Sequence, residues 1–145
     1  TNSRYYPANG ANTLTDGFRG TKDIGKQWHA FNGNDMVATI DLGEVVTASS
    51  ISIGSIQNWG QWVFFPQWVK FEISVDGVNF KETNTVTNTI PVDARDLQIK
   101  DFTTKFASQK VKAIRVTAKN LGQCPPGHAG EKQSSWLFVD EIIVE

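Results

Sequence analysis

The segment Trp136-Leu137-Phe138-Val139-Asp140-Glu141-Ile142-Ile143-Val144 sets two adjacent carboxylates inside an otherwise apolar run. Read as a strand, it puts Asp140 on one face with Phe138, Ile142 and Val144, and Glu141 on the other with Leu137, Val139 and Ile143. Whichever face turns inward takes a carboxylate with it. A buried, unpaired carboxylate costs several kcal/mol, so it must be protonated, paired with Lys or Arg, or bound to a metal ion. An acid and stabiliser for glycoside cleavage must converge on one site about 5 to 10 Å apart. Neighbours on a strand diverge, and this spacing does not support catalysis.

Three loops carry other chemistry. In Leu14-Thr15-Asp16-Gly17-Phe18-Arg19-Gly20-Thr21-Lys22-Asp23, oxygen donors on a tightly turned backbone suit a hard cation such as Ca²⁺, although the loop taken alone reads first as an ordinary turn. It lacks the regular acidic spacing and terminal Glu of the helix-loop-helix calcium loop. In Gln57-Asn58-Trp59-Gly60-Gln61-Trp62-Val63-Phe64-Phe65-Pro66, aromatic rings alternate with amides. Sugars are held by that mixture, flat rings covering their C–H faces and amides bonding their hydroxyls. Trp59 and Trp62 beside Gly60 are candidates for exposed platforms, while Phe64 and Phe65 either join them or close the end of a core.

The third loop, Asn120-Leu121-Gly122-Gln123-Cys124-Pro125-Pro126-Gly127-His128-Ala129-Gly130, is stiffened by proline, which lowers the ordering cost of presenting Asn120 and His128 to a ligand. Cys124 and His128 also have the types of a nucleophile and its base, or of half a zinc site, but no second pair completes either. Earlier, Gln27-Trp28-His29-Ala30-Phe31-Asn32 again sets aromatics around a His. Trp28 and His29 are candidates to line a sugar site, Trp28 being equally suited to a core.

The elements that must position these residues read as all-β. Short alternating β-branched runs recur between Gly, Asn and Asp clusters, and helical spacing of apolar residues is hard to find. Strands are expected over 36–42, 50–56, 68–75, 97–106, 113–118 and 137–144. In the third, Val69, Phe71, Ile73 and Val75 fall on one face, Lys70, Glu72 and Ser74 fall on the other, and Asp76-Gly77 supplies a hairpin turn. Residues 81–96, rich in Thr and Asn, are expected on an exposed edge or loop without function.

The 145 residues fit one domain, 1–145, with no internal repeat or linker composition. Lys plus Arg total 14 against 15 Asp plus Glu, and a net charge of −1 argues against nucleic acid as a partner. With 5 Trp and 9 Phe, the chain has more large flat rings than a core needs, which points some of them at recognition. Cys124 is the sole cysteine, so no intramolecular disulfide exists. No apolar run reaches the length of a membrane span, and no signal-peptide pattern opens the sequence.

Taken in order, the Leu14-Thr15-Asp16-Gly17 loop with Thr21 beyond it, Trp28-His29, Ala38-Thr39-Ile40-Asp41-Leu42-Gly43 and the closing Asp140-Glu141-Ile142 resemble the coagulation factor 5/8 type C, or discoidin, domain. Trp62-Val63-Phe64-Phe65-Pro66 and the Cys124 to His128 loop make the chain most similar to family 32 carbohydrate-binding modules, in particular the C-terminal domains of bacterial chitobiases and β-N-acetylhexosaminidases. The resemblance implies a galactose-binding-domain-like jelly-roll β-sandwich with one structural Ca²⁺. Carried across, Asp16, Thr21 and Glu141 are its side-chain ligands, with backbone carbonyls near Thr13, Arg19 and Thr21 completing the shell. It also implies a sugar site in loops at one end of the sandwich, drawn from Trp28, His29, Gln57, Trp59, Trp62, Phe64, Asn120 and His128. Many galactose-binding relatives carry an Arg where this chain has Gln61-Trp62, which turns the expectation toward N-acetylated hexosamines.

The resulting expectation is a monomeric, non-catalytic module of a chitobiase or β-hexosaminidase that is secreted, periplasmic or on a bacterial cell surface. Its partners would be a glycan bearing terminal N-acetylhexosamine or galactose and the catalytic domain of the same chain. The alternative is an accessory domain that only packs on its catalytic neighbour.

Overall fold

A computed structural model describes residues 28–145. Six strands carry the fold: β1 (His29–Asn32), β2 (Met36–Gln57), β3 (Trp68–Ser74), β4 (Lys81–Thr87), β5 (Gln98–Ala118) and β6 (Trp136–Val144). Their hydrogen-bonded order is β1-β6-β2-β5-β3-β4, and every neighbouring pair is antiparallel.

The runs expected over 36–42 and 50–56 are one strand, as are those over 97–106 and 113–118. The residues between the first two runs, Leu42 to Ser49, continue the strand. The β2–β5 register shifts between Asp41 and Val46 and again between Ala48 and Ser50, so the paired strands bend without separating. Gly43 takes φ +84, a left-handed conformation that costs glycine little, and donates its N–H to the Asp41 carboxylate at 2.8 Å.

That shared bend makes a sandwich from one continuous sheet. Beyond it Met36 to Asp41 pair with Ala118 to Ala113, which pair in turn with β3, and β3 carries β4 on its far side. On the other side Ser50 to Gln57 pair with Lys105 to Gln98 and with β6, which carries β1. Val69, Phe71, Ile73, Ile114 and Val116 of one layer and Ile51, Ile53, Phe102, Leu137 and Val139 of the other form a single buried cluster. Each such side chain contributes about 1.5–3 kcal/mol on burial.

The alternation expected in β3 ends one residue early. Val69, Phe71 and Ile73 are buried, but Val75 is 59% exposed and Ser74 turns inward. The Asp76 carboxylate gathers the turn, accepting bonds from the N–H groups of Val78 and Asn79, the Asn79 amide and the Ser74 hydroxyl, each at 2.8 Å. These donors, led by the Asn79 and Val78 N–H groups, hold its pKa below the usual carboxylate range. Within 81–96, Lys81 to Thr87 form the edge strand β4, and only the remainder is loop.

Flanked by β1 and β2, β6 buries both faces of its first half. Leu137 and Val139 enter the main core, while Phe138 packs in a second cluster with Trp28, Ala30, Ile56 and Val63. No helix among the described residues is long and apolar enough to cross a membrane.

Candidate functional site at the open end of the sandwich

The two layers are joined at one end by the bends of β2 and β5. At the opposite end the chain crosses between layers through loops: 58–67 from β2 to β3, 88–97 from β4 to β5, and 119–135 from β5 to β6. The register Gln57↔Gln98 and the bridge Val63↔Trp136 bring these loops together. Antiparallel pairing thereby collects residues far apart in sequence onto one surface.

Residues 58–63 fold back tightly. Asn58 and Val63 exchange N–H···O bonds of 2.8 and 3.1 Å, and a 3-10 turn over Trp59–Gln61 forms the tip. Trp62 closes it in the left-handed region at φ 65, a conformation that costs a bulky residue about 1–3 kcal/mol. Two bonds fix it there: Trp62 N–H donates to the Trp59 carbonyl at 3.2 Å, and Trp136 N–H to the Trp62 carbonyl at 2.8 Å.

His128 stands at the centre of the aromatic group, with ring centroids 4.5 Å from Trp59, 5.8 Å from Trp62 and 5.6 Å from Phe64, all edge-on. Its Nε2–H donates to the Trp59 carbonyl at 2.7 Å and its Nδ1 accepts the Gly130 N–H at 2.8 Å, so these partners set the tautomer. With 6% exposure and both ring nitrogens engaged, His128 has no polar atom left for a sugar. It shapes the surface that Trp59 and Trp62, both partly exposed, present.

Several other expected contact residues are likewise buttresses. Gln57, 1% exposed, donates its amide to the carbonyls of Pro91 (3.1 Å) and Ala94 (3.4 Å) and accepts the Phe65 N–H (3.2 Å). Asn120, 2% exposed, donates to the Phe31 and Asn34 carbonyls and accepts from Gly122 N–H and the Ser135 hydroxyl. Phe64 and Trp28 are fully buried, the latter in the second apolar cluster beneath the loops. His29 lies in β1, buried and stacked on Phe31 at 4.7 Å, away from the Trp59 turn. The expected set thus separates into two partly exposed rings and a supporting framework, with His29 outside it. The sequence reading missed Arg95, whose guanidinium lies 4.1 Å from the centre of the Trp59 ring. It missed Gly130 too, which lies against the Trp62 indole.

Comparison with known proteins decides the family. The model of the F5/8 type C domain matches residues 1–136. This chain belongs to the F5/8 type C domain family. A search of curated proteins finds no match. Among solved structures, this F5/8 type C domain is similar to the C-terminal domain of a chitobiase from Bacteroides fragilis, at 18% identity and a TM-score of 0.56 over 93% of this chain and 78% of that one. It is similar to the family 32 carbohydrate-binding module of AlyQ, solved with 4,5-unsaturated mannuronic acid, at 17% identity, a TM-score of 0.54 and coverages of 92% and 83%. A family 29 fucosidase from Ruminococcus gnavus matches at 15% identity and a TM-score of 0.59, over 97% of this chain but 22% of its own length. The likeness is one of fold, and this chain spans less than two thirds of several chains it matches. The expected jelly-roll architecture is borne out.

In this F5/8 type C domain the closing carboxylates do not form a catalytic pair. Asp140 is fully buried, and its Oδ1 accepts the N–H groups of Gly54 at 2.9 Å and Glu141 at 2.6 Å. Glu141 is half-buried on the opposite side of the strand. Nor do Cys124 and His128 act as nucleophile and base, since burial pushes the Cys124 thiol pKa up and both His128 nitrogens are engaged. Of the expected calcium ligands, Thr13, Asp16, Arg19 and Thr21 lie outside the described residues. Among the described residues no three His, Cys, Asp or Glu side chains group as a metal site. The all-oxygen donor set expected around Glu141 matches the chemistry of Ca²⁺.

Proposed function

We propose that this F5/8 type C domain, spanning residues 1–145, is a non-catalytic carbohydrate-binding module of a glycoside hydrolase, and that it holds sugar at the open end of the sandwich over Trp59 and Trp62. The observation that carries the reading is a pair of partly exposed indoles on a loop whose backbone is locked by His128 and Trp136. Flat rings held rigid at a polar rim suit the C–H face of a pyranose and lose little freedom on binding. The chitobiase and AlyQ modules support the reading by their shared fold.

The finer reading keeps a chitobiase or β-N-acetylhexosaminidase as the parent, acting outside the cytoplasm on glycans with terminal N-acetylhexosamine or galactose, with the module monomeric. One structural Ca²⁺ would be held by Glu141 with Asp16 and Thr21 and by carbonyls near Thr13, Arg19 and Thr21. There it would neutralise the carboxylates and tie the last strand to an early loop. Affinity for a single sugar is on the order of 0.1–1 mM, raised for the whole enzyme by linkage to a second site.

Calorimetric titration of the folded, calcium-loaded protein with N-acetylglucosamine, N-acetylgalactosamine and galactose tests this. Binding that weakens at least about tenfold in Trp62→Ala, with the melting transition still cooperative, is expected from loss of a stacked ring. A folded protein that binds none of a broad panel of sugars would leave the accessory packing role in its place.

A further inference from the structure

The geometry points to a carboxylate-bearing sugar, a hexuronate, as the ligand class of this site, with Arg95 as its specificity-determining residue. This rests on the sugar-binding reading above and replaces its neutral N-acetylhexosamine or galactose ligand with an acidic one. Three observations converge on Arg95. Its guanidinium carbon lies 4.1 Å over the Trp59 ring centre, a cation–π contact that takes up none of the N–H donors whose fork fits a planar carboxylate.

The loop that carries it is held by a buried group. Gln57, at the end of β2, bonds the Pro91 and Ala94 carbonyls on the N-terminal side of Arg95, while its Oε1 accepts the Phe65 N–H just beyond the Trp59 turn. One amide therefore joins the loop that supplies the cation to the loop that supplies the aromatic platform.

The third observation is charge. Arg115 also lies 4.1 Å over a ring, that of Phe80, but its guanidinium is 3.7 Å from Glu72. Arg95 takes part in no ion pair among the described residues, although Asp93 and Asp96 flank it in sequence. An exposed arginine lying over a partly exposed tryptophan with its charge uncommitted is arranged to receive an anion from solvent. With a net charge of −1, the chain as a whole neither strongly repels nor attracts a single carboxylate, so selectivity must come from this contact.

The test compares galacturonate with galactose and with the neutral methyl ester of galacturonate, and glucuronate with glucose, by titration of the 145-residue chain at 50 and 500 mM NaCl. At low salt each uronate is expected to bind about three- to fivefold more tightly than its neutral counterparts, the upper part of the range for a solvent-exposed pair. The advantage should shrink at high salt as the screening length falls. It should drop below about twofold in Arg95→Gln and return only in part in Arg95→Lys, which keeps the charge and loses the fork. Equal affinity for acid and neutral sugars overturns the inference and leaves the sugar-binding reading standing, as does a uronate preference that survives Arg95→Gln. Failure of every sugar to bind the folded protein overturns both.

Discussion

A β-carbon added at Gly130 would lie 2.9 Å from Cε2, Cζ2 and Cη2 of the Trp62 indole, well inside the favourable carbon–carbon separation of about 3.5–4.0 Å. The backbone of Gly130 is not in the left-handed region, so alanine is conformationally allowed there. By itself Gly130→Ala should stabilise by about 0.4–1 kcal/mol, through the lower entropy of the unfolded chain. Against the indole it should instead destabilise by about 1–2 kcal/mol, at the lower end of overpacking costs because the partly exposed ring can swing outward. The sign of the effect therefore depends on whether Trp62 is present.

In a Trp62→Ala background the same substitution should be neutral or stabilising, giving a coupling energy of about 1–3 kcal/mol between the two positions. Urea denaturation of the wild type, both single variants and the double variant measures that energy, provided the slope with denaturant is constant across the set. Sugar titration of Gly130→Ala should show weakened binding, because the displaced indole no longer lies edge-on to His128 at 5.8 Å. An equal cost of Gly130→Ala with and without the Trp62 ring would refute the reasoning, as would unchanged sugar affinity.

The buried His29 should make stability depend on pH. Burial lowers its pKa in the folded state below the ordinary 6.5, and neither ring nitrogen has a hydrogen-bond partner among the described residues. The unfolded chain therefore takes up the proton more readily, so this contribution is complete above about pH 6.5 and is lost as pH falls below it. Melting temperatures from pH 8 to 5 should fall, and His29→Phe should flatten the decline; an identical profile in that variant would remove His29 as the cause. For calcium, chelation should lower the wild-type melting temperature, and Asp16→Ala or Glu141→Ala should both lower it and abolish the chelator response. Persistence of the full response in Glu141→Ala would exclude that residue as a ligand.

How legible the fold was depended on the range of the signal. Alternation in 36–42, 50–56 and 113–118 located strand segments correctly, because burial of one face writes a period of two into the sequence. Their continuity was hidden. Gly43 interrupts the alternation, and whether a glycine there ends a strand or bends it is decided by the partner strand, here β5. β1 was missed because four residues with His29, Ala30 and Phe31 all buried show no alternation.

The site divided along the same line. Composition placed rings and amides in the 57–66 and 120–130 loops, and the structure brings both loops together at His128 and Trp59, separated by 69 residues in sequence. Composition could not say which members face solvent, since Gln57 and Asn120 have the same chemistry whether bonded to a sugar hydroxyl or to a backbone carbonyl. Gln57 reaches the Pro91 carbonyl 34 residues away, through a loop with no pattern of its own. Arg95 was hidden for the same reason.

That division bears on how such a surface can work at all. A single sugar offers little area, so an affinity near the millimolar range leaves almost no free energy for ordering loops on binding. The ordering must already be done in the free protein. Trp62 held at φ 65, a conformation costing about 1–3 kcal/mol, is maintained only because the Trp59 carbonyl and the Trp136 N–H over-determine its backbone. The buried amides of Gln57 and Asn120 and the imidazole of His128 serve the same end, each spending its hydrogen bonds on backbone rather than ligand. On the proposed sugar-binding reading, residues that looked like the sugar's partners thereby set the entropy of binding, while the contacts themselves fall to the two indoles and the rim.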